Sequence, residues 1–135
     1  MRVVLDTNVL VAAFVAHGAC NELLEHCVLS HEVILAPFII REFKEKLVEK
    51  FGLTAAEASR AVRLLKSRCI IINPKKLPES VCRDPDDDNI IATAVSGSCA
   101  CIVTGDNDLL VLNAVSGIPI IPPSQFWEFE DTEDT

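Results

Sequence analysis

Short apolar runs alternate along this chain with longer segments whose apolar residues recur at three- and four-residue steps, and that alternation constrains the fold more than any other feature. The runs Arg2–Leu5 (RVVL), Glu32–Ala36 (EVILA), Cys69–Ile72 (CIII), Ala100–Val103 (ACIV) and Gly117–Ile121 read as strands. Between them, Asn8–Val15, Asn21–Leu29, Pro37–Phe51, a segment opened by the capping box Thr54-Ala-Ala-Glu57, Asp88–Val95 and Asn107–Val115 read as helices. A short helical turn is expected at Ser124–Phe129. Continuous apolar runs, as opposed to alternating ones, belong to strands buried on both faces, so the pattern predicts a parallel sheet covered by helices on each side. The expected class is an α/β, three-layer α/β/α sandwich.

The chain has 135 residues, enough for one domain with a real core. The domain is expected over residues 1–129, with the acidic remainder, 130–135, as a solvated and frayed tail. No segment approaches the roughly 18 uninterrupted apolar residues of a membrane span, and the opening residues lack the pattern of a signal peptide, so a cytoplasmic protein is expected. Six cysteines form no C-x-x-C pair and fit buried free thiols. His17, His26 and His31 show no helical H-x-x-x-H spacing and are expected in loops or on the surface. The net charge of −8 counts against nonspecific nucleic-acid binding through a basic surface.

The acids fall in telling places. Asp6 follows the first strand, Glu42 lies early in the helix after the second, and Asp106 follows the fourth in VTGDND (103–108). In a parallel sheet the segments after the strands share one edge, where open α/β folds hold their ligands. Asp88, which opens a helix, does not reach that edge by the same logic. Each acid has a plainer reading: Asp6, Asp88 and Asp106 as helix caps, Glu42 as a solvated residue beside Arg41, Lys44 and Lys46. Gathered together they repel, by about 4 kcal/mol for a pair 4 Å apart at an effective dielectric near 20. A hard dication such as Mg²⁺ or Mn²⁺ relieves that repulsion.

Four ordered blocks complete the pattern: DTNVL at 6–10, Glu42 within IIREF, DPDDDNIIATA at 84–94 and VTGDNDLL at 103–110. Together they resemble the PIN domain, and among its members the toxins of prokaryotic toxin–antitoxin pairs, over residues 2 to about 127. The resemblance implies a five-stranded parallel sheet and an endoribonuclease dependent on Mg²⁺ or Mn²⁺, leaving 5′-phosphate and 3′-hydroxyl ends. It assigns Asp6, Glu42, Asp88 and Asp106 to catalysis and metal binding, with Asp108 as an added ligand or support. Asn8 and Thr104 match polar residues that orient those acids. Several acids of the 84–88 run compete for one position; Asp88 is chosen for its place four residues before Ala92, with Asp84 as the alternative or a supporting partner. Arg41, Lys44, Lys46 and Arg83 are candidate contacts to the RNA backbone, or else surface ion pairs. The resemblance also implies an RNA substrate, a separate antitoxin chain and a homodimer, and no membrane partner.

Three rivals remain at this level. A metal-dependent phosphatase of the haloacid-dehalogenase type also begins with an aspartate after its first strand, but wants a second aspartate where Asn8 stands. A response-regulator receiver needs a phosphoacceptor aspartate ending a central strand, whereas CIII runs into Asn73-Pro74. A noncatalytic module that binds protein or RNA on the same fold is the third.

Overall fold

A computed structural model describes residues 1–133. Six strands form one sheet: β1 (Arg2–Leu5), β2 (Glu32–Leu35), β3 (Ile70–Ile71), β4 (Cys101–Val103), β5 (Ala114–Val115) and β6 (Ile118–Ile121). Their spatial order is β3-β2-β1-β4-β6-β5. All pairings are parallel except that of β5 with β6. Seven α-helices accompany them: α1 (Thr7–Val15), α2 (Ala19–Ser30), α3 (Pro37–Glu49), α4 (Ala55–Arg68), α5 (Pro85–Ser96), α6 (Asn107–Leu110) and α7 (Phe126–Glu133).

The central strands are buried on both faces because helices cover both faces. Val3, Val4, Leu5, Ile34, Leu35, Cys101, Ile102 and Val103 are all fully buried. Helices α1 to α4 pack on one another while the chain steps outward from β1 to β2 to β3. The chain then reverses, and α5 crosses beneath β1, β2 and β4 before β4 pairs with the free side of β1. A right-handed crossover in the reversed direction places α5 on the opposite face, which completes the three layers. The reversal also makes the carboxyl ends of β1 and β4 a topological switch point, where the connections leave in opposite directions and open a crevice.

The five expected strands are present, and a sixth was not expected. The helix anticipated over Asn107–Val115 stops at Leu110, because Asn113 adopts a left-handed conformation (φ 59°) and sends the chain into β5. Ser116 and Gly117, at φ 52° and 77°, then form the tight turn that folds β5 back on β6. Helix α5 begins three residues earlier than expected, capped by Asp84 and with Pro85 at its first position. The frayed tail expected from residue 130 is instead helical through Glu133, since α7 is anchored by the fully buried Phe126 and by Glu130; Asp134 and Thr135 lie outside the described residues.

The cysteines are free, as expected, with Cys27, Cys99 and Cys101 buried. Burial pushes the Cys27 and Cys101 thiols up to about 12, so they are neutral packing groups. No single helix among the described residues is long and apolar enough to cross a membrane.

Candidate active site

Asp6 is the first residue past β1 and the N-cap of α1, so one turn of backbone fixes its carboxylate at the switch point. Only 8% of it is exposed. One oxygen accepts from the Thr7 amide at 2.7 Å and the other from the Thr104 hydroxyl at 2.7 Å. Capping and site membership are thus one geometry. Burial raises the carboxyl's pKa; the two hydrogen bonds and Lys46 oppose that rise, and the Asp106 charge adds to it.

Thr104, fully buried directly after β4, links the two strand ends. Its hydroxyl donates to Asp6 and accepts from the Asp106 amide at 3.0 Å. Asp106 caps α6 through its own acceptor bond from the Asp108 amide, 2.9 Å. The Thr7 hydroxyl, next to Asp6, is buried and has no hydrogen-bond partner among the described residues. Such orphaned hydroxyls are uncommon in a settled core.

Of the acids expected to compete for one position, Asp88 is engaged with the connecting loop, and Asp87 is the one whose charge couples to Asp6 and Asp106. The Asp88 carboxylate accepts from the Ser80 hydroxyl at 2.7 Å and from the amides of Val81 and Cys82 at 3.0 and 2.8 Å. Those bonds hold it below its ordinary range and commit it to the connecting loop. Asp87, one residue earlier, points about 100° away around the helix. Partial burial raises it to about 6, with the charges of Asp106, Asp84, Asp6 and Asp108 adding to the rise. Periodicity alone does not separate the two, since Asp87 lies three and four residues before the buried Ile90 and Ile91, and Asp88 three and four before the buried Ile91 and Ala92. Asp84 caps α5 by accepting from the Asp86 amide at 2.9 Å, and its charge adds to the rise at Asp87.

Glu42 comes to the same crevice from α3. Its pKa is raised by burial first, then by Asp86, with Asp6 and Glu45 adding and Lys46 opposing. Asp86 and Asp87 are both acids that the sequence reading did not single out from the 84–88 run. Lys46, one turn beyond Glu42, donates to Asn8 at 2.8 Å and is the cation felt by both Asp6 and Glu42. Arg41, Lys44 and Arg83 are exposed and form no ion pair among the described residues, so the structure brings only Lys46 of the four candidate cations to the acids. No three of these carboxylates close to within 4.8 Å of one another among the described residues. They are an open set of mutually repelling oxygens around a crevice.

Comparison with known proteins bears on the family and the fold. The family model of the PIN domain matches residues 2–108. An uncharacterized protein of Methanocaldococcus jannaschii, MJ1680, is 33% identical over 119 residues, covering 83% of this chain and 75% of its own. The fold is similar to the VapBC2 structure from Rickettsia felis, bound to a promoter DNA fragment, with a TM-score of 0.66 and 14% identity over 90% of this chain and 98% of that one. It is also similar to VapBC-1 from nontypeable Haemophilus influenzae (TM-score 0.64, 12% identity, 92% and 99% of the two chains). A third is VapC20 of Mycobacterium tuberculosis, a toxin that cleaves the sarcin-ricin loop (TM-score 0.60, 17% identity, 87% and 98%). With the family model spanning most of its length, the chain belongs to the PIN domain family.

Proposed function

We propose that this chain is a divalent-metal-dependent endoribonuclease, the toxin of a toxin–antitoxin pair, with the acids at the β1/β4 switch point as its active site. The observation that carries this reading is the convergence of Asp6, Asp87, Asp106 and Glu42 on one crevice with Lys46 as their near cation. The donor set fits the group such an enzyme needs. It offers carboxylate oxygens; the nearby Cys82 thiol is pushed up to about 12 by burial and by Asp88 and stays protonated, and a buried hydroxyl at Thr7 still lacks a partner among the described residues. That set suits Mg²⁺ or Mn²⁺ better than zinc.

Asp6 and Asp106 would hold the cation directly, with Asp87 and Glu42 completing the ring and Asp108 at its rim. When bound, the dication supplies an activated water, a fixed phosphate orientation and charge neutralisation at the leaving oxygen. Thr104 locks the two principal acids in register through one hydroxyl. Lys46 tethers Asn8 and offers the positive charge that draws a phosphodiester toward an otherwise acidic edge. RNA would meet Lys46 nearest the acids, with the exposed Arg41, Lys44 and Arg83 as further candidate contacts to its backbone. The three similar structures include two toxin–antitoxin complexes, which supports a separate antitoxin chain as partner of this one. A homodimer in the cytoplasm belongs to the same reading.

The test is cleavage of a labelled single-stranded RNA pool by purified full-length protein with Mg²⁺ or Mn²⁺. The reading expects fragments with 5′-phosphate and 3′-hydroxyl ends, lost in EDTA and in Asp6→Asn. Folded, antitoxin-free protein that leaves the pool intact with both metals would favour a noncatalytic binding module.

A further inference from the structure

At the amino ends of the strands, opposite the acids, the fold assembles a second group that the proposed chemistry does not use. His26 lies near the end of α2 and His31 caps it, just before β2; Glu130 comes from α7, about a hundred residues away. Both imidazoles direct Nε2 at the same carboxylate oxygen, Oε2 of Glu130, at 2.5 Å. The three prospective ligand atoms all lie within 4.8 Å of one another, the only such His/Cys/Asp/Glu group among the described residues. Of the histidines expected in loops or on the surface, His17 is exposed in a bend, whereas His31 is enclosed with 7% of its side chain exposed and His26 is part-buried in α2 at 31%.

The rings are set in place before any ligand arrives. His26 packs on Trp127 with centroids 4.8 Å apart, and His31 stands edge-on to Phe126 at 5.9 Å. Phe126 is itself fully buried, so α7 carries both the third ligand and the walls that orient the first two. The Met1 amino group lies 3.2 Å from His31 Nδ1; with a metal on Nε2, the ring proton sits on Nδ1 and donates to the neutral amine. Two imidazole nitrogens and one carboxylate oxygen carry a single negative charge and mixed N/O donors, a set suited to Zn²⁺ and poorly suited to Mg²⁺. Three protein ligands leave one position for water or an incoming group.

We propose that His26, His31 and Glu130 form a zinc-class metal site that staples α7 to α2, distinct from the acidic crevice. It does not depend on the nuclease reading, because its ligands, its end of the sheet and its metal class all differ.

Trp127 is the only tryptophan in the chain and touches His26, so it reports the site directly. Full-length, EDTA-stripped protein would be titrated with Co²⁺ while following tryptophan fluorescence and the visible absorption of the metal, and then with Zn²⁺. The expected result is quenching that saturates at one equivalent with a Kd at or below about 1 μM. Zn²⁺ should displace the Co²⁺ and reverse the quenching. The signal persists in the Asp6→Asn/Asp106→Asn double variant and weakens by more than about tenfold in His26→Gln and in Glu130→Gln. Wild-type protein that fails to quench identifies a hydrogen-bonded clamp only and overturns the proposal, without reliance on any variant. Quenching that survives both ligand variants, or that disappears with the acidic double variant, places the metal elsewhere and overturns it equally.

Discussion

Asp87 and Asp88 are adjacent, have the same side chain and should respond to the same substitution with opposite signs. Asp87 faces the other carboxylates, and burial with their charges lifts it from 3.8 to about 6. That rise corresponds to about 3 kcal/mol against the ionised form. Solvent and counter-ions reach this half-buried group, which lowers the net penalty to about 1–2 kcal/mol. Because the folded pKa is raised, the folded state binds more protons than the unfolded state between about pH 4 and 6. Stability therefore falls as pH rises through that window, and the penalty is complete above it. Asp87→Asn should raise the Tm of metal-free protein by about 3–7 °C at pH 8 and leave it unchanged near pH 3.5. Asp88 is held below its ordinary range by Ser80, Cys82 and Val81, so its contribution is present above the unfolded pKa and fades on acidification. Asp88→Asn should cost about 1 kcal/mol at pH 8 through those bonds. Thermal unfolding in EDTA at the two pH values, paired with RNA cleavage, reads both signs. Asp87→Asn should be stabilised and inactive, and Asp88→Asn less stable and active. Loss of stability in Asp87→Asn at pH 8, or cleavage that follows Asp88 and not Asp87, would refute the assignment.

Other outcomes follow from single contacts. Thr104→Val strips the hydroxyl from both Asp6 and the Asp106 amide, leaving two polar groups short of a partner. It should cost about 1–3 kcal/mol in denaturant unfolding, with Thr104→Ser restoring most of it. Lys46→Met removes the cation nearest the acids. RNA binding to catalytically silent Asp6→Asn protein should weaken on that change, with a salt dependence shallower by about one charge. At Gly97 an added Cβ would stand 2.9 Å from the buried Ile34 side chain and 3.1 Å from the Thr93 carbonyl. Gly97→Ala should therefore destabilise by about 1–3 kcal/mol on chemical denaturation, with catalytic residues untouched.

What the sequence revealed follows from which features are local. RVVL, EVIL and CIV were legible because strands buried on both faces must be apolar throughout. Asp6 and Asp106 were legible because residues one and three positions past a parallel strand stay at its carboxyl edge. Strand β5 was not, since Leu109, Leu110, Leu112 and Val115 continue a helical spacing that only the left-handed Asn113 interrupts. The choice between Asp87 and Asp88 turns on where α5 begins; a start at Pro85 fixes the rotation that a start at Asp88 leaves open. The group of His26, His31 and Glu130 had no local signal at all, because its ligands meet only when α7 docks on α2.

Binding of Mn²⁺ to the acidic crevice tests the central claim without knowledge of the RNA. Free Mn²⁺ gives a sharp six-line electron paramagnetic resonance spectrum that disappears on binding to protein. Wild-type, Asp88→Asn and His26→Gln proteins should each sequester Mn²⁺, whereas Asp6→Asn, Asp87→Asn and Asp106→Asn should leave most of it free at the same concentrations. Wild-type protein that leaves Mn²⁺ free, or Asp6→Asn protein that binds it as tightly as wild type, would contradict the assignment of these carboxylates as a cation site.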